Sequence, residues 1–189
     1  LADRTGALES WEQALARDPN HPGALARLEA LLAREPQNLT AVQVHLSALR
    51  KSGDPHRLTR GLDARVAASP DPTERKSLLA ELAGLRDAQG EPELAFLAYW
   101  RAYKEDPNDA DVRAKVVASA ESAESYDELV GALEEALPRI ASPEESAEVS
   151  LELGRLLETR LDEPDRAVNH YEKARALSPA IAGRVLPAL

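Results

Sequence analysis

The chain of 189 residues has no cysteine, no methionine and a single phenylalanine, and aromatics make up only 4% of it. Without cysteine there is no disulfide framework, no thiolate nucleophile and no zinc site of the cysteine type. Positive charge is scarce too: 23 Lys and Arg stand against 33 Asp and Glu, a net charge of -10. That balance is the reverse of the basic footprint that nucleic-acid binding needs; an acidic coat instead keeps an extended surface soluble. No stretch approaches the ~18 uninterrupted apolar residues of a membrane span, and no charged-then-apolar leader opens the chain. Nucleic acid and direct membrane insertion are therefore set aside. Leu1 falls in the middle of a repeated pattern, and with no methionine present the sequence reads as a piece of a longer protein whose leader or anchor would lie outside it. The cytoplasm is the expected compartment, with the periplasm left open by the missing N-terminus.

Signatures of catalysis are absent as well. There is no glycine-rich phosphate loop and no nucleophile elbow. His21, His45, His56 and His170 are scattered without the i, i+4 pairing that a metal-binding helix uses. Carboxylates are plentiful, but they fall at helix starts and on polar helix faces. Paired acid and base catalysis needs an enclosed pocket to separate two pKa values. The expectation is a protein that is not an enzyme and needs no cofactor.

What the chain has in quantity is one spacing, repeated. Residues 90–107 hold a turn, an apolar-striped helix and a proline stop, with Ala95, Tyr99, Ala102 and Pro107 as fixed marks. The same marks return as Ala7, Trp11, Ala14, Pro19 and as Ala167, Tyr171, Ala174, Pro179. Weaker copies are Ala24, Leu28, Leu31, Pro36, then Leu58, Leu62, Arg65, Pro70, and Leu129, Leu133, Ala136 with the proline displaced to Pro143. A small residue four positions before a ring places a notch and a knob on one helix face. A neighbouring helix can approach at the notch while the ring fills the next gap. Recurrence of this kind marks a repeat protein.

The order Ala-x3-aromatic-x2-Ala-x4-Pro resembles the second half of a tetratricopeptide repeat, and Leu153-Gly154-x2-Leu157 resembles the first-half signature of the same family. The resemblance implies an all-α fold: a right-handed α-solenoid of antiparallel helix pairs, about 10 to 11 helices in all. Helices are expected at 6–17, 22–34, 39–52, 55–68, to about 88, 91–104, 109–121, to about 137, 143–160 and 164–177, and 180–188 is a start of another repeat or a short terminal helix. The approximate repeats are 6–38, 39–72, 73–108, 109–142 and 143–179, forming one continuous run. Asp54 with Pro55 is a helix start. Asp71 with Glu74, Ser125 with Glu128, and Ser142 with Glu145 have the spacing of capping boxes. Pro138 should end or bend its helix near Leu137. The first pair is out of phase, because the marks beginning at Ala7 and Ala24 lie only half of the ~34-residue period apart.

Three groups of residues compete for a binding role. Phe96, Tyr99, Trp100 and Tyr103 include the residue types that dominate binding hot spots, but spacings of three, four and seven put them on or beside the buried stripe, and core packing is the favoured reading. Arg50, Lys51, Arg57, Arg60 and Arg65 outweigh Asp54 and Asp63 in the one locally basic segment, which would receive an acidic peptide or carboxylate; a solvated face is favoured. The third group follows from the resemblance, since the first helix of each tetratricopeptide pair lines a concave groove. By phase it comprises Thr40, Gln43, Ser47, Arg50 and Lys51, then Ser77, Ala80, Gly84 and Asp87, then Asp111, Ala114 and Ala118, and finally Glu148, Leu151 and Arg155. Members of the family that bind chaperones use a lysine, asparagine and arginine clamp, which Ala80 and Gly84 do not supply, so a chaperone tail is not the expected ligand.

The function expected is a non-catalytic scaffold that binds a protein or peptide partner on its groove. The alternatives are a structural spacer or self-association segment, and a regulatory arm of an enzyme whose catalytic domain lies outside the sequence. A preponderance of Arg and Ala over Lys points to a bacterial source.

Overall fold

Proline and short polar side chains set where the helices begin. The computed structural model describes residues 2–178 and 180. Among them are ten α-helices: α1 (Ala2–Arg17), α2 (Pro22–Arg34), α3 (Leu39–Lys51), α4 (Pro55–Ala68), α5 (Pro72–Ala88), α6 (Pro92–Glu105), α7 (Ala110–Ala123), α8 (Tyr126–Ala136), α9 (Pro143–Thr159) and α10 (Pro164–Leu177). Six of them open on proline, whose fixed φ and missing N–H suit the first helical position. Asn38, Asp54, Asp109 and Ser142 each accept the backbone N–H three residues on, at 3.0 to 3.2 Å. His21 does the same through Nδ1 to Ala24 (3.2 Å). Gly53 and Gly90, with φ of 71° and 73°, take the left-handed conformation just beyond α3 and α5. As expected, the described residues are all-α and, within each compact unit, helices pack on their sequence neighbours; the proposed terminal segment 180–188 lies outside the described residues apart from Ala180, and so does Pro179.

Two expected capping boxes do not form. Asp71 accepts the N–H of Thr73 (3.0 Å), but the Glu74 carboxylate is drawn away by Arg65, which holds it with two hydrogen bonds of 2.7 and 2.6 Å. A bidentate charged pair outcompetes a single neutral amide, and the Asp71 N–H turns to Ser69 Oγ instead (3.3 Å). Ser125 caps nothing with its side chain, and its hydroxyl donates to the Ala123 carbonyl (3.4 Å). The cause is the preceding residue: Glu124 is left-handed (φ 53°), and its turn bonds the Ser125 N–H back to Ala120 (3.0 Å). Pro138 acts as expected, since α8 stops at Ala136 and passes into a 3-10 turn, Leu137–Arg139.

The chain divides into two compact units, Leu1–Arg86 and Asp87–Leu189; the boundary falls in the last turn of α5. In the first unit α1 packs on α2 and α3, α2 on α3, and α3 on α4. Leu25, Leu28, Ala41, Leu49 and Leu62 form its buried centre. Ion pairs join α5 to this group: Arg50 of α3 to Glu81, Arg65 of α4 to Glu74, and Asp63 of α4 to Arg86. Arg65 occupies the mark where α6 and α10 have alanine, and it is buried. Its Nη1 also donates to the Pro36 carbonyl (2.8 Å), so the guanidinium is fully engaged.

In the second unit α6 packs on α7 and α8, α8 on α9, and α9 on α10. The marks Ala95, Tyr99, Ala102 and Ala167, Tyr171, Ala174 are all buried, as are Leu129, Leu133 and Ala136. The notch facing Tyr171 is Gly154: a Cβ there would lie 2.5 Å from Tyr171 Cδ1, inside van der Waals contact. The Tyr171 hydroxyl then donates to Glu158 (2.6 Å) one turn further along α9. Phe96, Tyr99 and Tyr103 are core residues. Trp100 is half-buried, stacked on Phe96 with centroids 6.2 Å apart, and the Lys104 ammonium lies 5.3 Å over its ring. The aromatic cluster is thus packing. On α1 the marks Ala7, Trp11 and Ala14 are left half-buried, and so is Leu31 on α2.

Two outcomes follow from this packing. Ala167→Leu and Gly154→Ala overfill the contact between α9 and α10, and each should lower the free energy of urea unfolding by about 1 to 3 kcal/mol. Arg65 holds the Glu74 carboxyl below its ordinary value of 4.5 against a smaller opposing effect of burial. Stability from this pair is therefore complete above pH 4.5 and lost as the pH falls through the lowered folded value. The urea midpoint should drop on acidification below that point, and less steeply in Glu74→Gln.

Candidate functional site

Helix α3 turns one stripe to its neighbours and another outward. Ala41, Val42, Val44, Leu46, Ala48 and Leu49 are buried, while Thr40, Gln43 and Lys51 are exposed and Ser47 is half-buried. Spacings of three and four bring these last four to one face. Together with Glu12, Leu15 and Ala16 of α1 they line a groove of about 220 Å³ in the first unit. Its floor is Leu15, Val44 and Ala48, all buried, and its rim carries one cation and one carboxylate. Lys51 has a charge free to meet a ligand, whereas Arg50 is spent on Glu81 through a bidentate pair at 2.7 and 2.6 Å. On α5, Ser77 and Gly84 are exposed and Ala80 is half-buried, and none of them lines this groove.

The expected basic cluster is taken apart by its partners. Arg50 is paired, Arg65 is buried against Glu74, and Arg57 leans towards Asn20 Oδ1 at 3.5 Å. Asp54 is occupied as the cap of α4. What remains is a solvated face containing Lys51 and Arg60.

A comparable groove recurs in the second unit between α7 and α9, with a volume of about 770 Å³. It brings together the expected Ala114, Ala118, Glu148, Leu151 and Arg155, while Asp111 is exposed and not part of it. It adds residues that sequence phase did not nominate: Arg113, Val117, Glu121, Glu152 and Arg160. Arg160 reaches Glu121 (3.8 Å) across it and covers the Tyr126 ring at 4.9 Å. Burial raises the Glu152 carboxyl above its ordinary 4.5, and Arg113 and Arg155 pull it partly back. Both positive and negative groups are therefore presented over an apolar base of Ala114, Val117 and Leu151. Asp87 falls in neither groove. It is exposed at the end of α5, in a shallow pocket with Gly90, Pro92, Tyr99 and Lys115, and burial raises its carboxyl. Residues from α1 could not have been nominated without knowing the phase of that helix, and Arg113 and Glu152 directly adjoin the nominated Ala114 and Leu151 in sequence.

Among the described residues no group of three or more His, Asp or Glu could hold a metal ion, and no helix is long and apolar enough to cross a membrane. Short helices packed on their sequence neighbours, with a recurring small-large-small stripe and paired grooves, define an α-helical repeat protein. No protein-family model matches the chain, and no curated protein matches it. Solved structures are similar to it at low identity. The MamA protein superposes with a TM-score of 0.46 at 18% identity, over 97% of this chain and 96% of that one. YrrB, a TPR protein with an unusual peptide-binding site, gives 0.43 at 16%, over 89% and 83%. A thermophilic TPR protein of Thermus thermophilus, TTC0263, gives 0.42 at 20%, over 97% of both.

The different fates of two adjacent cations can be measured. Lys51→Glu should leave the urea midpoint unchanged, because that side chain stands in solvent at the groove rim. Arg50→Glu places a carboxylate against Glu81 and should destabilise the protein by roughly 1 kcal/mol, the upper range for a surface pair.

Proposed function

We propose that the protein is a non-catalytic scaffold that holds a protein or peptide partner against the outward faces of alternate helices, α3 with α1 and α7 with α9. The observation that supports this most is the recurrence of a groove of the same construction in both units, each with an apolar floor and charged rims. An extended peptide offers what such a groove takes: small side chains for the floor, and backbone amides or charges for rims that carry Lys51 and Glu12 in one unit and Arg155 and Glu148 in the other. The grooves are open along their length, which gives little of the enclosure that acid and base catalysis requires. In this reading Thr40, Gln43, Ser47, Lys51 and Arg155 touch the partner, while Arg50 and Ser77 do not.

The half-buried stripe Ala7, Trp11 and Ala14 on α1 favours a second reading, self-association through that helix. Sedimentation separates the two: concentration-dependent association abolished by Trp11→Ser supports it, and a constant monomer rejects it.

The groove reading is tested by bulk. Gln43→Trp and Ala114→Trp replace exposed lining residues without touching the core. In photo-crosslinking from the source cell the pair should lose the partner captured by the unaltered protein while melting at the same temperature. Equal capture by both proteins would refute the groove as the binding surface.

A further inference from the structure

The groove between α7 and α9 is sorted by charge along its length. On α9 the carboxylates Glu148 and Glu152 come first and the arginines Arg155 and Arg160 follow; on α7 the order is reversed, Arg113 first and Glu121 last. Arg160 meets Glu121 at 3.8 Å and Arg113 acts on Glu152, so like ends of the two helices lie together. One end of the groove therefore sets two carboxylates against one arginine, and the other sets two arginines against one carboxylate.

The basic end presents a guanidinium rather than consuming it. Arg160 follows the last turn of α9, and its guanidinium lies 4.9 Å over the Tyr126 ring. Stacking on a ring fixes the plane of the fork and leaves the N–H donors at its edge. Glu121 attracts those donors from beyond hydrogen-bond distance. About half of each side chain stands in solvent, 49% for Arg160 and 59% for Glu121, so the pair contributes little and is readily exchanged. Arg50 and Arg65 differ in this respect, because each closes its fork on a carboxylate with two hydrogen bonds. Arg155 is exposed on the same wall, drawn towards Glu152 by its charge.

This arrangement narrows what can dock there. A lysine or arginine would face two cations. A neutral amide offers one acceptor to a fork made for two. A carboxylate fills the fork with two parallel bonds and displaces only the long contact to Glu121. The net charge of -10 repels an acidic partner at a distance, but beyond about 8 Å that field is screened at physiological salt. The groove is open along its length, so a bound chain runs on past Arg160 and delivers its carboxylate from a side chain. We propose that the groove between α7 and α9 takes a segment of a partner protein that carries an aspartate or glutamate, seated between Arg155 and Arg160 in place of Glu121, with flanking small residues on Ala118 and Leu156. The proposal rests on the groove reading above and adds to it the chemistry of the partner.

The test is titration of the whole protein with the pentapeptide Ala-Ala-Glu-Ala-Ala, acetylated and amidated so that its side chain supplies the one carboxylate. NMR at the Arg160 Nε–H and the Tyr126 ring should show saturable shifts. Ala-Ala-Gln-Ala-Ala and Ala-Ala-Lys-Ala-Ala should bind about tenfold more weakly, the worth of a charged hydrogen bond. Arg160→Gln should erase the preference at an unchanged melting temperature. Glu121→Gln removes the competing carboxylate and should tighten the glutamate peptide by up to about fivefold. Equal saturable binding of the three peptides, or a preference that survives in Arg160→Gln, overturns the proposal and leaves the groove reading standing. Saturable binding of none of them overturns both for this groove. Tighter binding of unamidated pentaalanine than of the glutamate peptide assigns the arginines to a chain end and overturns the side-chain proposal.

Discussion

A ring set against a missing side chain holds α9 and α10 together. Helices of 11 to 17 residues are marginal on their own in water, so each depends on close approach to the next. Gly154 gives Tyr171 that approach between α9 and α10, and the buried alanines on either side of the ring keep the rest of the contact tight. Close packing of this kind tolerates little change in volume, which is why the same small-large-small order returns at Ala7, Ala95 and Ala167. Stability then accumulates from one adjacent contact to the next. The faces not consumed by packing are left to solvent.

Helix starts were largely legible, because they depend on chemistry within three residues. Asp54 with Pro55, and Ser142 ahead of Glu145, act where the sequence places them. The two failed boxes show the limit of that reading. Glu74 has the right distance from Asp71, yet Arg65 on the preceding helix offers two charged donors, and nothing local announces it. Arg50 was lost in the same way to Glu81, thirty-one residues away. Local pattern predicts local bonds; a strong distant partner overrides them.

The walls of the two grooves were legible on one side only. Thr40, Gln43, Ser47 and Lys51 share a face of α3 by spacing alone, and Ala114, Ala118, Glu148, Leu151 and Arg155 meet as the family resemblance implies. The opposing wall in the first unit comes from α1, whose marks belong to a second helix while its neighbours are those of a first. Its phase could not be read because the same stripe suits either place. Its half-buried Trp11 records that conflict.

Arg65 has a consequence for the modular nature of the chain. Repeats whose inner stripe is alanine and an aromatic ring can in principle be exchanged, because each presents the same relief to its neighbours. The α4 segment cannot travel so freely: it carries a buried cation whose countercharge, Glu74, belongs to the following helix and whose third acceptor, Pro36, belongs to an earlier turn. Transplanted alone it would strand a charge in apolar surroundings. Residues 36–74 therefore behave as one inheritable block, indivisible by recombination, inside a chain that otherwise looks like interchangeable parts.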